Sequence, residues 1–265
     1  MESPAPRRVL YSTLIGDYET LNELTVDDPG ITAICLTDDP DLRSDTWQIV
    51  LVEPAFPSDP VRSQRRLKVL GHPTLDGFDE WMYIDNTVRL TGPPSSLLET
   101  FLEGYDLAIP THSYRDTVEE EFAKVASAQL DHRDRLDEQL EHYRADWPGS
   151  LAARPLWSGI ILRRTTPEVA AWATTWWEHI ARYSRRDQLS IIAALMAHDL
   201  QVHRIEIDCF ASEFHEWPIV TDRNTDVRHV RGDRLVGGAK ARILSLPRAA
   251  RARVGRVIRS SNVSS

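Results

Sequence analysis

Four short runs rich in β-branched and aromatic residues, at 9–15, 31–37, 47–53 and 81–85, are each followed by turn formers and read as largely buried strands. Between the third and fourth lies 61-VRSQRRLKVLGHPTL-75, where Val61, Leu67 and Leu70 recur at helical spacing and Arg62, Arg65, Arg66 and Lys68 take the remaining surface. A helix placed between two strands implies that they pair in parallel. The chain is therefore expected to fold as an α/β domain, a Rossmann-type, mostly parallel sheet flanked by helices.

Further along, a Pro-Pro turn at 93 and 94 precedes a helix at 95–103 and a strand at 107–110. The acid- and Arg-rich stretch 117–143 reads as one long, largely exposed helix, ended by 146-DWPGS-150. A strand at 157–162, a Trp-rich helix opened by Pro167 and running to 183, an amphipathic helix at 187–198 and a strand at 201–207 complete the order. With 265 residues, one core suffices, and the expected division is a single domain over 1–239 and a basic, flexible tail over 240–265.

Charge supports that division. The tail holds seven of the 31 basic residues and no acid, which leaves the body 24 bases against 40 acids, a net of −16. Such a body repels polyanions, so no nucleic-acid partner is expected. Arg residues mixed with Ala, Val and Ile in the tail suit either an anionic membrane surface or the acidic body itself. The opening residues lack a signal-peptide pattern and no segment approaches the roughly 20 apolar residues of a membrane span, so the expected location is cytoplasmic, with the tail at the inner membrane face as a peripheral option. Cys35 and Cys209, each beside an apolar run, read as reduced core residues.

Chemistry concentrates in four stretches. In 83-YIDNTVRL-90 an apolar strand runs into Asp85, followed by Asn86 and Thr87. Ligands of open α/β sheets gather beyond the carboxyl ends of the strands, where a carboxylate meets a hard cation and a diphosphate; the alternative is an Asp that caps the turn before Gly92. In 34-ICLTDDP-40, Asp38 and Asp39 reach the same sheet edge, as hydrogen-bond acceptors for a nucleoside or as a plain turn before Pro40. Arg62, Arg65 and Lys68 follow an i, i+3, i+6 progression that suits phosphate oxygens or makes a solvated basic face. In 184-SRRDQLS-190, Asp187 and Gln188 bring a carboxylate and an amide able to grip vicinal sugar hydroxyls, or Asp187 is an N-cap. Trp157 before Gly159 offers a stacking face beside a close backbone approach, or an ordinary core Trp. His215 either completes a cation site with Asp85 or lies on the surface. A P-loop, a Gly-rich dinucleotide fingerprint, a nucleophile elbow and a zinc spacing are all missing.

Taken in order, YSTLIGDYE, ICLTDDPDLRSDTWQIV, RRLKVLGHPTL, EWMYIDNTVRL, THSYRDTVEEE, GIILRR and WWEHIARYSRRDQLS resemble the successive blocks of the mucilage-related hexosyltransferase-like glycosyltransferase family, across about residues 9–195. The resemblance implies a GT-A-like fold with a nucleotide-sugar donor across the sheet and a divalent ion, Mn²⁺ or Mg²⁺, on its diphosphate. It implies Asp85 at the cation, Asp38 near the nucleoside, Arg62, Arg65 and Lys68 at the phosphates, Asp187 with Gln188 at the transferred sugar, and His112 with Arg115 along the cleft. Thr87 stands in the second acidic place of a D-x-D pattern, so His215 or the diphosphate is expected to supply further ligands. The function expected is transfer of a hexose-type sugar to an acceptor of unknown class, glycan, lipid or small molecule. The alternatives are a silent nucleotide-sugar or glycan binder and a metal-dependent hydrolase.

Overall fold

The computed structural model of the chain describes residues 5–219, so the tail at 240–265 and its boundary lie outside the described residues. The chain runs through β1 (Arg8–Leu14), β2 (Thr32–Thr37), β3 (Gln48–Leu51), α1 (Pro60–Leu70), β4 (Glu80–Ile84), β5 (Arg89–Leu90), α2 (Pro94–Phe101) and β6 (Leu107–Pro110). It continues through α3 (Val118–Ser127), α4 (Arg133–Asp146), α5 (Pro148–Ala152), β7 (Ile160–Arg164), α6 (Pro167–Arg182), α7 (Ile191–His198), β8 (His203–Ile205) and β9 (His215–Glu216). Seven strands make one sheet in the order β3-β2-β1-β4-β7-β6-β8, while β5 and β9 pair separately. Within the seven, β7 runs against both its neighbours, β4 and β6, and every other pairing is parallel. The expected single-domain, mostly parallel α/β sheet is what the chain forms.

Strict alternation along the strands divides the core in two. Val9, Tyr11, Ile34, Leu36, Trp81, Tyr83 and Ile161 face a layer containing α1, α6 and α7. Leu10, Cys35, Met82, Ile84, Ile160 and Leu162 face the other side, where α2 packs. Successive strand side chains point to opposite faces, so a sheet covered on both sides needs the near-continuous apolar runs that the sequence shows. The helices start where polar caps allow: Asp59, Thr117 and Thr166 each accept a backbone N–H two or three residues into α1, α3 and α6.

The stretch 117–143 differs from its expectation. It forms two helices instead of one, because Gln129 turns to φ 53° and Asp131 folds inward, where its Oδ2 accepts from Ser184 Oγ and the Arg185 N–H. Nor is it largely exposed: Phe122, Val125, Leu136 and Tyr143 are buried. The last helix opens with a 3-10 turn, Asp187–Leu189, before α7. Cys35 and Cys209 are buried free thiols. Among the described residues no helix is long and apolar enough to cross a membrane.

The strand order 3-2-1-4 is that of a mononucleotide-binding half, and its chain reversal falls between β1 and β4. The carboxyl ends of β1, β2, β4 and β6 share one edge. Because β7 is reversed, its beginning, at Ser158 and Gly159, meets the same edge. Residues 111–156 leave and return there through a narrow neck, in which the His112 N–H donates to Pro155 O and the Trp157 N–H to Pro110 O.

Candidate active site

The edge encloses a cavity of about 480 Å³, within the size range of small-molecule sites. Its walls come from the ends of β1 and β4, from α1, from the 111–130 region and from the 185–188 turn.

Behind its wall a buried ammonium joins two carboxylates. Lys68 Nζ, its side chain wholly enclosed, lies 2.7 Å from Asp187 Oδ2, 3.2 Å from Asp85 Oδ1 and 3.1 Å from Ser158 Oγ. Ser158 Oγ donates in turn to Asp187 Oδ2 at 2.9 Å, and Arg65 Nε lies 3.4 Å from Asp187 Oδ1. Tyr83 donates to Asp85 Oδ1 at 2.8 Å and accepts from Gln64 Nε2 at the same distance. Burial alone would raise the Asp187 carboxyl, but the charges of Arg65 and Lys68 outweigh it and hold it well below the usual carboxylate range. Burial and the Asp85 charge push the Tyr83 hydroxyl well above its ordinary value, so it stays a donor.

These contacts sort the residues that the sequence singled out. Lys68, Arg65, Asp85 and Asp187 meet as one cluster. Asp187, expected to grip the sugar, has both oxygens engaged and a side chain 3% exposed; it anchors Lys68 and Arg65, while half-buried Gln188 lines the cavity. Arg62 departs from the group: its guanidinium donates to the Ile180 and Tyr183 carbonyls at the end of α6 and pairs with Asp59, which ties α1 to α6 and keeps it off the cavity wall. Asp38 Oδ1 accepts from the Gly16 N–H, one residue behind the cavity wall, and Asp39 closes a turn by accepting from the Asp41 N–H. Asn86 clamps the loop after β1, accepting from the Asn22 N–H and donating to Glu19 and Thr20. Thr87 Oγ1 accepts from Trp217 Nε1. Trp157 lines the cavity but is 2% exposed, and the close approach at Gly159 is to Trp157 itself: a Cβ there would lie 2.4 Å from its ring.

His215 is corrected on both counts. It is fully buried, its Nδ1 meets Ser212 Oγ and its Nε2 meets Cys209 O, so it is neither a surface residue nor a ligand beside Asp85. His112 is buried on the cavity wall, and burial together with Arg115 and Arg154 lowers it to about 4, so it is neutral at pH 7. Arg115 lines the wall and pairs with Glu121 at 3.2 Å.

The sequence reading missed Gln64, Tyr83 and Ser158. Tyr83 and Ser158 each stand beside a residue that was singled out, and two-residue strand spacing from Asp85 was the signal for Tyr83.

Among the described residues no group of three His, Cys, Asp or Glu is arranged to hold a metal. Asp85 nevertheless keeps Oδ2 clear of any hydrogen bond among the described residues, on a side chain 29% exposed at the cavity. A single carboxylate oxygen next to a bound diphosphate suits Mg²⁺ or Mn²⁺, which retain several waters and draw other ligands from substrate phosphates.

A family model described as TOD1/MUCI70, glycosyltransferase-like domain, matches residues 14–218. A protein of Arabidopsis thaliana named probable hexosyltransferase MUCI70 is 29% identical over 154 residues, which cover 54% of this chain and 26% of that one. The chain thus spans about a quarter of that relative's length. Among solved structures, apo mouse xyloside xylosyltransferase 1 aligns over 74% of this chain and 84% of its own, at 12% identity and a TM-score of 0.41. Core-mannan synthase A of Aspergillus fumigatus, in its Mn/GDP form, aligns over 77% and 74%, at 12% identity and a TM-score of 0.44.

Proposed function

We propose that the chain, which belongs to the TOD1/MUCI70 glycosyltransferase-like family, transfers a hexose-type sugar from a nucleoside diphosphate sugar to a hydroxyl acceptor. The observation that carries this reading is the cluster of Lys68, Arg65, Asp85 and Asp187 at the β4 end of the β1/β4 chain reversal. A nucleotide lying at that crevice directs its diphosphate to Asp85 and its sugar toward Gln188.

The roles follow from charge and exposure. Breaking the glycosidic bond builds negative charge on the departing diphosphate, and fixed donors aimed at that charge lower the barrier without reorganising. Arg65, on the cavity wall, is held for this task by Asp187, while the enclosed Lys68 fixes Asp187 and Asp85 from behind and Tyr83 holds the Asp85 carboxylate. Mn²⁺ or Mg²⁺, held by Asp85 and the diphosphate, would add neutralising charge on the leaving group. Asn86 and Thr87 pin the loop after β1 and Trp217 against the same corner, which keeps the mouth of the site in register.

The test is a thermal-shift screen of uridine, guanosine, adenosine and cytidine diphosphates with and without Mn²⁺, followed by donor turnover with the best base. One diphosphate is expected to raise Tm by mass action, and Asp85→Asn to cut turnover by about 10²-fold or more with a smaller loss of stability than Asp187→Asn, since Lys68 keeps its closer partner Asp187. No Tm shift with any base, or full turnover in Asp85→Asn, removes the assignment. The replacement of a second acid by Thr87 favours one rival, a binder without turnover; it is supported if the diphosphate binds and no donor is consumed.

A further inference from the structure

Strand order separates the cavity into two sides. Asp85 follows β4, whereas 111–115 follow β6, two strands away across β7. At about 4.8 Å per strand this puts the β6 wall on the order of 10 Å from the proposed diphosphate site, beyond the sugar and away from β1. That wall is where an acceptor approaches a donor bound as proposed above.

Its charge is unbalanced. Glu121, buried at the start of α3, pairs with Arg115, and Arg186 and Lys124 also act on its carboxylate through space. Arg115, Lys124 and Arg186 all line the cavity. Neither Lys124 nor Arg186 has an ion-pair partner among the described residues, and although the Arg186 charge also acts on Asp187, which Arg65 and Lys68 already pair, the wall keeps more cations than carboxylates in a body that is otherwise strongly acidic. On the same wall His112, 3% exposed, has a buried Nδ1 without a hydrogen-bond partner among the described residues. A buried polar atom without a partner is uncommon and points to a group supplied from outside the protein.

We propose that the wall formed by His112, Arg115, Lys124 and Arg186 is an acceptor subsite that recognises an anionic sugar, with the two unpaired cations meeting a carboxylate or phosphate and His112 accepting from a hydroxyl. The assignment rests on the nucleotide-sugar reading. Arg supplies a planar fork and Lys a point charge, a pair that holds an anion while leaving the sugar ring to be oriented by hydrogen bonds.

The test uses full-length protein saturated with its nucleoside diphosphate and titrated calorimetrically with methyl glucoside, methyl glucuronide and glucose 6-phosphate. The two anionic sugars are expected to bind at least tenfold tighter than the neutral one, with an advantage that shrinks as salt is added. Preference for the glucuronide identifies a uronate acceptor, and preference for the phosphate identifies a phosphorylated one. The Lys124→Gln/Arg186→Gln double variant should abolish the preference while the nucleoside diphosphate Kd stays within twofold. Lys124→Gln alone, at an exposed position, should reduce it about threefold if the double variant does not fold.

Equal or absent binding of neutral and anionic sugars overturns the acceptor assignment and leaves the donor site standing. A tenfold loss of nucleotide affinity in the variants also overturns it, by returning these cations to the donor phosphates. Failure of every nucleoside diphosphate to bind removes the donor reading first, and the acceptor assignment falls with it.

Discussion

Lys68 has no route to water, so its charge depends on its neighbours. Removing one partner from a buried pair costs about 3 kcal/mol or more, because the remaining charge is stranded. Asp187→Asn is therefore expected to lower the unfolding free energy by about 3 kcal/mol, measured by urea denaturation at pH 7. The pH dependence has a definite sign. The Asp187 carboxyl is depressed in the folded state, so its contribution is complete above the unfolded value of about 3.9 and fades as pH falls below it. Asp187→Asn should lack that part of the acid limb; identical acid limbs in the two proteins would refute the ion pair. Sequence spacing placed Arg62, Arg65 and Lys68 on one face, yet it could not show that Arg62 ends among the α6 carbonyls while the others reach Asp187. The partner of a long side chain is fixed by packing across the fold, which no local pattern carries. Asp85 was legible because an acid closing an apolar strand has few places to go, and His215 misled because a histidine outside any periodic run gives no local sign that both ring nitrogens are satisfied.

Elements were read well where period and punctuation agreed. The strand at 107–110 and the helix opened by Pro167 fall where expected, since Pro suits the first helical turn and a four-residue apolar run closed by Pro110 is too short for a helix. The break inside 117–143 was hidden because Ala-Gln-Leu-Asp at 128–131 contains neither Gly nor Pro; the turn is imposed by Asp131 reaching Ser184 and Arg185. The small β5/β9 sheet also went unread, two residues on each side being too short for any pattern. Gly159 is the clearest constraint at this scale. An added methyl would overlap the Trp157 ring, so Gly159→Ala is expected to cost roughly 2 kcal/mol and to disturb the Asp85 N–H, which donates to Gly159 O. Thermal unfolding together with diphosphate affinity measures both effects. A variant with wild-type stability would show that the Trp157 ring swings aside freely.

At the level of the whole molecule, the sheet and its ligand edge follow from the order of strands and helices, and the reversed strand β7 is what the sequence left open, since direction depends on how the chain returns and not on composition. The tail supports a separate proposal, that residues 240–265 settle on anionic membranes through their seven cations. Full-length protein should pellet with phosphatidylserine vesicles severalfold more than a chain cut after Gly238; equal pelleting ends the idea. The reversal of β7 has a broader result. Residues 111–156 depart from and rejoin the sheet at adjacent points, closed by the bonds between His112, Pro155, Pro110 and Trp157, and their helices dock a second time on the end of α6, where Asp131 accepts from Ser184 and Arg185 and Tyr143 meets His179. Substitutions on the cavity side of this segment, from His112 to Lys124, would refashion what the outer wall admits while the β1–β4 half kept its framework.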